Sequence, residues 1–251
     1  MRFSELSPIK PLEYSSILRL ETHKSQKAGA AMLRAVSYNI HSGRDLWWRK
    51  RLHQMADTLK ELNPDIVGLQ EVHQNSKYGY QASFLAEQLQ YQLAFAPSIP
   101  IGNGHYGNAL LSKYPLKHAK TVTLPAKREQ RTLLQAAFDW NGKSVSVWVT
   151  HCSLNQVSRN AQLHFLAEQI AGANKTPLLL MGDFNAATVS FSPALHDSAR
   201  ICNQEMKHTL PAFRRRLDYI FASDHWTIQD YTLAQVNWSD HVPVIVDVRL
   251  K

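Results

Sequence analysis

From Leu33 onward, short apolar runs with a two-residue alternation are separated by segments whose apolar residues recur at helical spacing. Strands are predicted over Leu33–Ile40, Ile66–Leu69, Ala109–Leu111, Leu133–Trp140, Ser144–Thr150, Leu178–Met181, Leu217–Phe221 and Val242–Val248. Leu52, Met55, Ala56 and Leu59 fall at i, i+3, i+4 and i+7, as do Leu163, Leu166, Ala167 and Ile170, so each group forms one apolar helix face. Asn141-Gly142, between two of the runs, predicts a hairpin, because a type I′ turn needs positive φ at both central residues. Helices interleaved with strands, together with a hairpin, predict mixed sheets covered by helices in one α/β domain. Residues 1–31 carry no sustained apolar period and are expected to be an N-terminal extension, leaving 32–251 as the folded domain.

Composition narrows the function classes. Of 251 residues, 44% are hydrophobic and 19% charged, ordinary globular usage that excludes a disordered chain or a fibre. No apolar run approaches the ~18–20 residues of a membrane span, and the N-terminus lacks a secretory core, so no stable membrane insertion and a cytoplasmic location are expected. Two cysteines, Cys152 and Cys202, are too few for a disulfide framework, and no Cys/His spacing resembles a zinc site. The net charge of +8 favours anionic, phosphate-bearing partners.

Polar residues gather where the predicted strands end. Asn39 closes the first, Glu71 follows Gln70, His151 follows Thr150, and Asp183 and Asn185 follow Gly182. Asp218 follows Leu217, and Ser239-Asp240-His241 opens the last strand. Singly, each reads as a turn former or cap. Together they combine hard oxygen donors suited to Mg2+ or Mn2+ with two histidines suited to proton transfer or phosphate contact.

Ser37-Tyr38-Asn39, Gln70-Glu71-Val72, Thr150-His151, Gly182-Asp183-Phe184-Asn185-Ala186, Leu217-Asp218-Tyr219 and Ser239-Asp240-His241 resemble, in order, the motifs of the endonuclease/exonuclease/phosphatase superfamily. The resemblance spans about Leu33 to the C-terminus. It implies a four-layered α/β sandwich, two central mixed sheets with helices outside, and metal-dependent hydrolysis of phosphate esters. By the same resemblance Glu71 is the principal metal ligand with Asn39 beside it, and Asp240 is a second metal-side carboxylate. Asp183 and Asn185 orient the attacking water and the phosphate, with Asp183 a candidate base. His241 is the catalytic histidine that takes a proton, and Asp218 fixes its tautomer. His151 resembles the phosphate-facing histidine of nuclease-like and sphingomyelinase-like members. Some secreted members orient that histidine with a Glu before the strand matching Ala109–Leu111; here His105-Tyr106-Gly107-Asn108 stands in its place.

Three basic segments bear on substrate. Arg131 opens a strand and is either a phosphate contact or a solvated cation. Trp47-Trp48-Arg49-Lys50-Arg51 combines stacking surface with cations, as single-strand grooves do, or else Trp47 or Trp48 staples the next helix. Phe213-Arg214-Arg215-Arg216 precedes Asp218 so closely that a cation, Arg214 foremost, is expected to face the site. Nucleic acid is the first substrate expectation. A phospholipid head group or phosphomonoester is the alternative, and an inactive binding protein a remote third.

Overall fold

Alternation along the strands sorts the apolar side chains of this computed structural model, which describes residues 31–173 and 175–251, into three separate cores. The expected extension therefore lies outside the described residues, apart from Ala31. The strands are β1 (Met32–Asn39), β2 (Ile66–Asn75), β3 (Gly79–Tyr80), β4 (Gln92–Ile101), β5 (Gly104–Ser112), β6 (Lys117–Thr123), β7 (Thr132–Trp140), β8 (Lys143–His151), β9 (Leu178–Asp183), β10 (Leu195–Asp197), β11 (Asp218–Ser223), β12 (Trp226–Leu233) and β13 (Val244–Leu250). The helices are α1 (Leu52–Leu62), α2 (Gln81–Leu89), α3 (Gln156–Ala173) and α4 (Ser198–Ile201).

One sheet runs β12-β13-β1-β2-β5-β4, with β3 also on β2, and the other runs β10-β11-β9-β8-β7-β6. Each contains a single parallel pair, β1 with β2 and β8 with β9, and the crossovers are α1 and α3. All other pairings are antiparallel, so both sheets are mixed. Trp140 pairs with Lys143 across Asn141 and Gly142, whose φ of 49° and 74° give the expected hairpin.

The four layers follow from which face each residue presents. Leu33, Ala35, Val147, Val149, Leu179, Met181, Val244 and Val246 fill the space between the sheets. Val36 and Tyr38, one position out of step, pack outward against Met55 and Leu59 of α1 and Leu85 of α2. Leu178, Leu180, Tyr219 and Phe221 pack outward against Leu166 and Ile170 of α3. Sheet approach leaves no room at Gly68, where a Cβ would lie 2.5 Å from the Met181 sulfur. Gly182, at φ 154°, allows β9 to close on β8, since a Cβ there would lie 1.9 Å from the Thr150 carbonyl oxygen.

Candidate active site

The alternation that builds the inter-sheet core continues past its last apolar residue. Leu33, Ala35 and Ser37 lead to Asn39; Val147 and Val149 lead to His151; Leu179 and Met181 lead to Asp183. Asp218 stands two residues before the inward Ile220. In the second sheet His151 pairs with Asp183 and Asp183 with Asp218, so the three form one row across neighbouring strands. Period two therefore carries these polar groups to one end of the sandwich, facing the space between the sheets.

Glu71 reaches the same place by a different device. The β2–β5 register shifts between Leu69 and Val72, and Glu71 lies at φ 60°, so a bulge re-aims a side chain that regular alternation would send outward. The Asn39 amide Nδ2 donates to Glu71 Oε1 at 3.1 Å and to Asp183 Oδ2 at 3.0 Å, linking the sheets through one buried side chain. Ser239 Oγ donates to the Asn39 carbonyl at 2.8 Å and accepts from the His241 N–H at 3.2 Å, which ties the last motif to the first. Asp240, half-buried, lies 3.7 Å from His41 Nδ1.

His241 and His151 are both buried, with partners of opposite charge. His241 Nδ1 donates to Asp218 Oδ2 at 2.7 Å, and its Nε2 lies 3.7 Å from Asp183 Oδ2. Burial opposes its protonation, but the carboxylates of Asp218, Asp183 and Asp240 prevail and push the imidazole pKa up to about 10. Thr209 Oγ1, which no sequence motif marked, accepts from the Leu217 and Asp218 N–H groups at 2.9 and 3.1 Å and holds the start of β11. Burial, and then the Asp218 charge, raise the Asp183 carboxyl above the ordinary range.

On the other side, Arg131 Nη1 lies 2.7 Å from His151 Nδ1. A guanidinium only donates, so Nδ1 accepts and the remaining ring proton sits on Nε2. Burial, then the charges of Arg131 and His241, hold His151 well below the usual histidine range. Arg131 is not the solvated cation that one reading expected: it is buried against His151 and pairs with Glu129 at 2.6 Å. Asn185 donates from Nδ2 to the Cys152 carbonyl at 2.9 Å, and the same nitrogen lies 3.1 Å from His151 Nε2.

Two further expectations have other outcomes. Trp47 and Trp48 staple no helix: they are 74% and 64% exposed, and Trp48 lies against the His41 ring at 5.0 Å between centroids. Arg214 is exposed at φ 52° beyond the Pro211–Phe213 turn and, among the described residues, makes no hydrogen bond or ion pair with the site. The buried cation of that run is Arg216, which pairs with Asp197 and covers the Tyr219 ring at 4.2 Å. The outward-facing Tyr219 draws it away from the inward row.

A family model described as the endonuclease/exonuclease/phosphatase family matches residues 36–241. The chain belongs to that family. Its members are hydrolases, and its enzymes depend on divalent metal. The uncharacterized protein YbhP of Escherichia coli K12 is 27% identical over 243 residues, covering 86% of this chain and 96% of YbhP. Similar folds include the family protein from Beutenbergia cavernae, with TM-score 0.71, 22% identity and coverage of 87% of this chain and 72% of that one. The human Nocturnin catalytic domain with bound sulfate has TM-score 0.70 and 23% identity, with 88% and 94% covered. D. rerio TDP2 complexed with a single-strand DNA product has TM-score 0.73 and 18% identity, with 87% and 99% covered. Among the described residues, no helix is long and apolar enough to cross a membrane.

Proposed function

We propose that this protein is a divalent-metal-dependent phosphodiesterase acting on nucleic acid, with residues 32–251 as its catalytic domain. The observation that carries this reading is a convergence of donors. His151 Nε2–H and Asn185 Nδ2 face each other at 3.1 Å, and neither can accept from the other. The second Asn185 Nδ2 hydrogen, the one not donated to the Cys152 carbonyl, and the His151 Nε2–H together form a seat for a phosphate oxygen beside the buried carboxylate row.

The donor set suits a hard cation. Glu71 and Asp240 offer carboxylate oxygens and Asn39 an amide oxygen, with no thiolate among them, which fits Mg2+ or Mn2+. A cation held there would offset the charge of the phosphate and of the departing oxygen. Asp183, Asp218 and His241 also bring ligand-type atoms within 4.8 Å of one another. We assign that trio to proton handling, because His241 carries a proton on Nδ1 for Asp218 and, as a cation, has no lone pair for a metal.

The same charge state divides the chemical roles. The resemblance makes His241 a proton acceptor, but an imidazolium enters the reaction as a donor, through Nε2, to a phosphate or leaving oxygen. Asp183 becomes the acceptor of the water proton: its affinity for protons is raised by burial and by Asp218. Asn39 holds the Asp183 carboxylate in place, and Asn185 and His151 bind the phosphate. Nucleic acid is favoured among phosphate esters by the +8 charge and by exposed Trp47 and Trp48 beside the site. The similarity to a TDP2 fold seen with single-strand DNA agrees with it.

The test is hydrolysis of single- and double-stranded DNA, RNA, sphingomyelin, phosphoinositides and phosphomonoesters with Mg2+, Mn2+ or chelator. Nucleic acid should be cleaved only with metal, and Glu71→Gln, which keeps shape and removes charge, should abolish that cleavage with unchanged circular dichroism. Preference for a lipid or monoester would replace the substrate assignment, and metal-dependent activity in Glu71→Gln would end the ligand assignment.

A further inference from the structure

On the loop that follows β1 lies a basic cavity of about 250 Å3, lined by Ser42, Arg44, Lys50, His53 and Tyr78 among others. Its lining residue Ser42 follows His41, and Arg44, also in the lining, lies 6.0 Å from the Trp48 ring. The Asn39 side-chain oxygen accepts from the His41 N–H at 3.0 Å, and His41 turns its ring to Trp48.

The loop that builds this cavity is already folded around one buried carboxylate. Asp45 Oδ1 accepts from the Trp47 and Arg49 N–H groups at 2.9 and 3.0 Å, and Oδ2 from Arg49 Nε and Arg51 Nε at 2.8 and 2.9 Å. Burial opposes the Asp45 charge, but these bonds prevail and lower the carboxyl to about 2. Arg44 and Lys50 form a backbone bridge across the loop and line the cavity together. Arg44 donates to the Trp48 carbonyl at 2.7 Å, and among the described residues neither Arg44 nor Lys50 has a carboxylate partner. Asp45 thus pairs with the two cations that shape the loop, Arg49 and Arg51, and not with the two that line the cavity.

The volume is below the roughly 300–1,000 Å3 of pockets that enclose whole drug-sized ligands. It suits a phosphate with part of its sugar. Aromatic rings accompany these cations: Tyr78, stacked on His73 at 4.4 Å, lines the cavity, and the exposed Trp48 ring lies 6.0 Å from Arg44. Cations in the lining with aromatic rings next to them are the combination by which proteins hold a single strand, cations on the backbone and bases stacked on rings.

Building on the phosphodiesterase reading, we propose that this cavity is a second phosphate subsite, holding a neighbouring phosphate of the same nucleic-acid strand through Arg44 and Lys50. The site would then take a chain of at least two phosphates in preference to an isolated ester.

Binding without turnover tests this directly. A labelled single-stranded oligonucleotide is titrated by fluorescence anisotropy in chelator against full-length wild type, Lys50→Gln and Arg44→Gln/Lys50→Gln over a salt series. Each lost phosphate contact should reduce the slope of log K against log salt by about 0.7. Lys50→Gln is the deciding variant, because among the described residues the Lys50 side chain makes no hydrogen bond in the loop whereas Arg44 does. In a set of oligonucleotides with one methylphosphonate each, one position should weaken wild type and leave Lys50→Gln indifferent. The ratio of kcat/KM for the oligonucleotide to that for a small chromogenic phosphodiester should fall about tenfold in the double variant. An unchanged salt slope, or equal sensitivity of both proteins at every methylphosphonate position, overturns the subsite while leaving the nucleic-acid reading intact. Wild type that neither binds nor cleaves oligonucleotides overturns both.

Discussion

His151 and His241 occupy the same end of the sandwich, are equally buried, and face the same Asp183 carboxylate at 3.6 and 3.7 Å. Their partners make them chemically opposite. A carboxylate, Asp218, raises the pKa of His241; a guanidinium, Arg131, lowers that of His151 and leaves its ring proton on Nε2. Burial works against a charged imidazole in both, so the sign of one neighbour decides the outcome.

The largest effect expected from breaking this contrast is at His241. Asp218→Asn and His241→Ala should each lower kcat by about 10²–10⁴, and the double variant should be little worse than His241→Ala. Independent, multiplying losses in steady-state kinetics would show that the pair does not act as a unit.

An intermediate effect is expected at Arg131. Arg131→Met should cost about 10–100-fold in kcat, since it removes the anchor of a phosphate-binding donor and leaves the donor itself in place. Ring-nitrogen NMR of the metal-free protein should then show His151 sampling both tautomers, where wild type shows only the Nε2-protonated form. A fixed Nε2–H tautomer in Arg131→Met would assign the orientation of His151 to Asn185 instead.

The smallest effect is on stability. His151 is depressed in the folded chain and ordinary, near 6.5, in the unfolded one, so the unfolded state binds the extra proton and stability falls as pH drops below about 6.5. In urea denaturation of metal-free protein, wild type should lose up to about 1.4 kcal/mol more per pH unit below that point than His151→Gln. Parallel pH dependence in the two proteins would mean that His151 protonates without resistance in the fold.

The strands that pattern alone did not reveal share one position. β4, β6, β10 and β12 are the four sheet edges, and β3 is a two-residue addition. Edge strands bury less apolar surface and carry residues that discourage further pairing: Pro97 and Pro100 in β4, Lys117 and Lys120 in β6. They lack the alternating signal for that physical reason. Helix α2 carries at Ala82, Leu85, Ala86 and Leu89 the same spacing as the two expected helix faces, so its signal was equally present in the sequence.

Local sequence by itself determined most of the inner architecture and which polar residues meet. Period-two alternation decides which side chains face inward, and that rule carries on from the core through Asn39, His151 and Asp183 without needing to know the partner strand. The Asp218 partner of His241 was expected from the family resemblance, but the Arg131 partner of His151 was decided only by the tertiary structure. Arg131 and His151 are 20 residues apart and come together at one end of the adjacent β7 and β8, and Asp218 and His241 are 23 apart with Thr209 holding one of them. A pKa depends on what lies within a few ångströms in space, and spacing along the chain does not encode that distance. The same holds for Glu71, whose inward turn rests on a bulge set by pairing with β5, and for Asp45, whose four hydrogen bonds gather Trp47, Arg49 and Arg51 around one buried carboxylate.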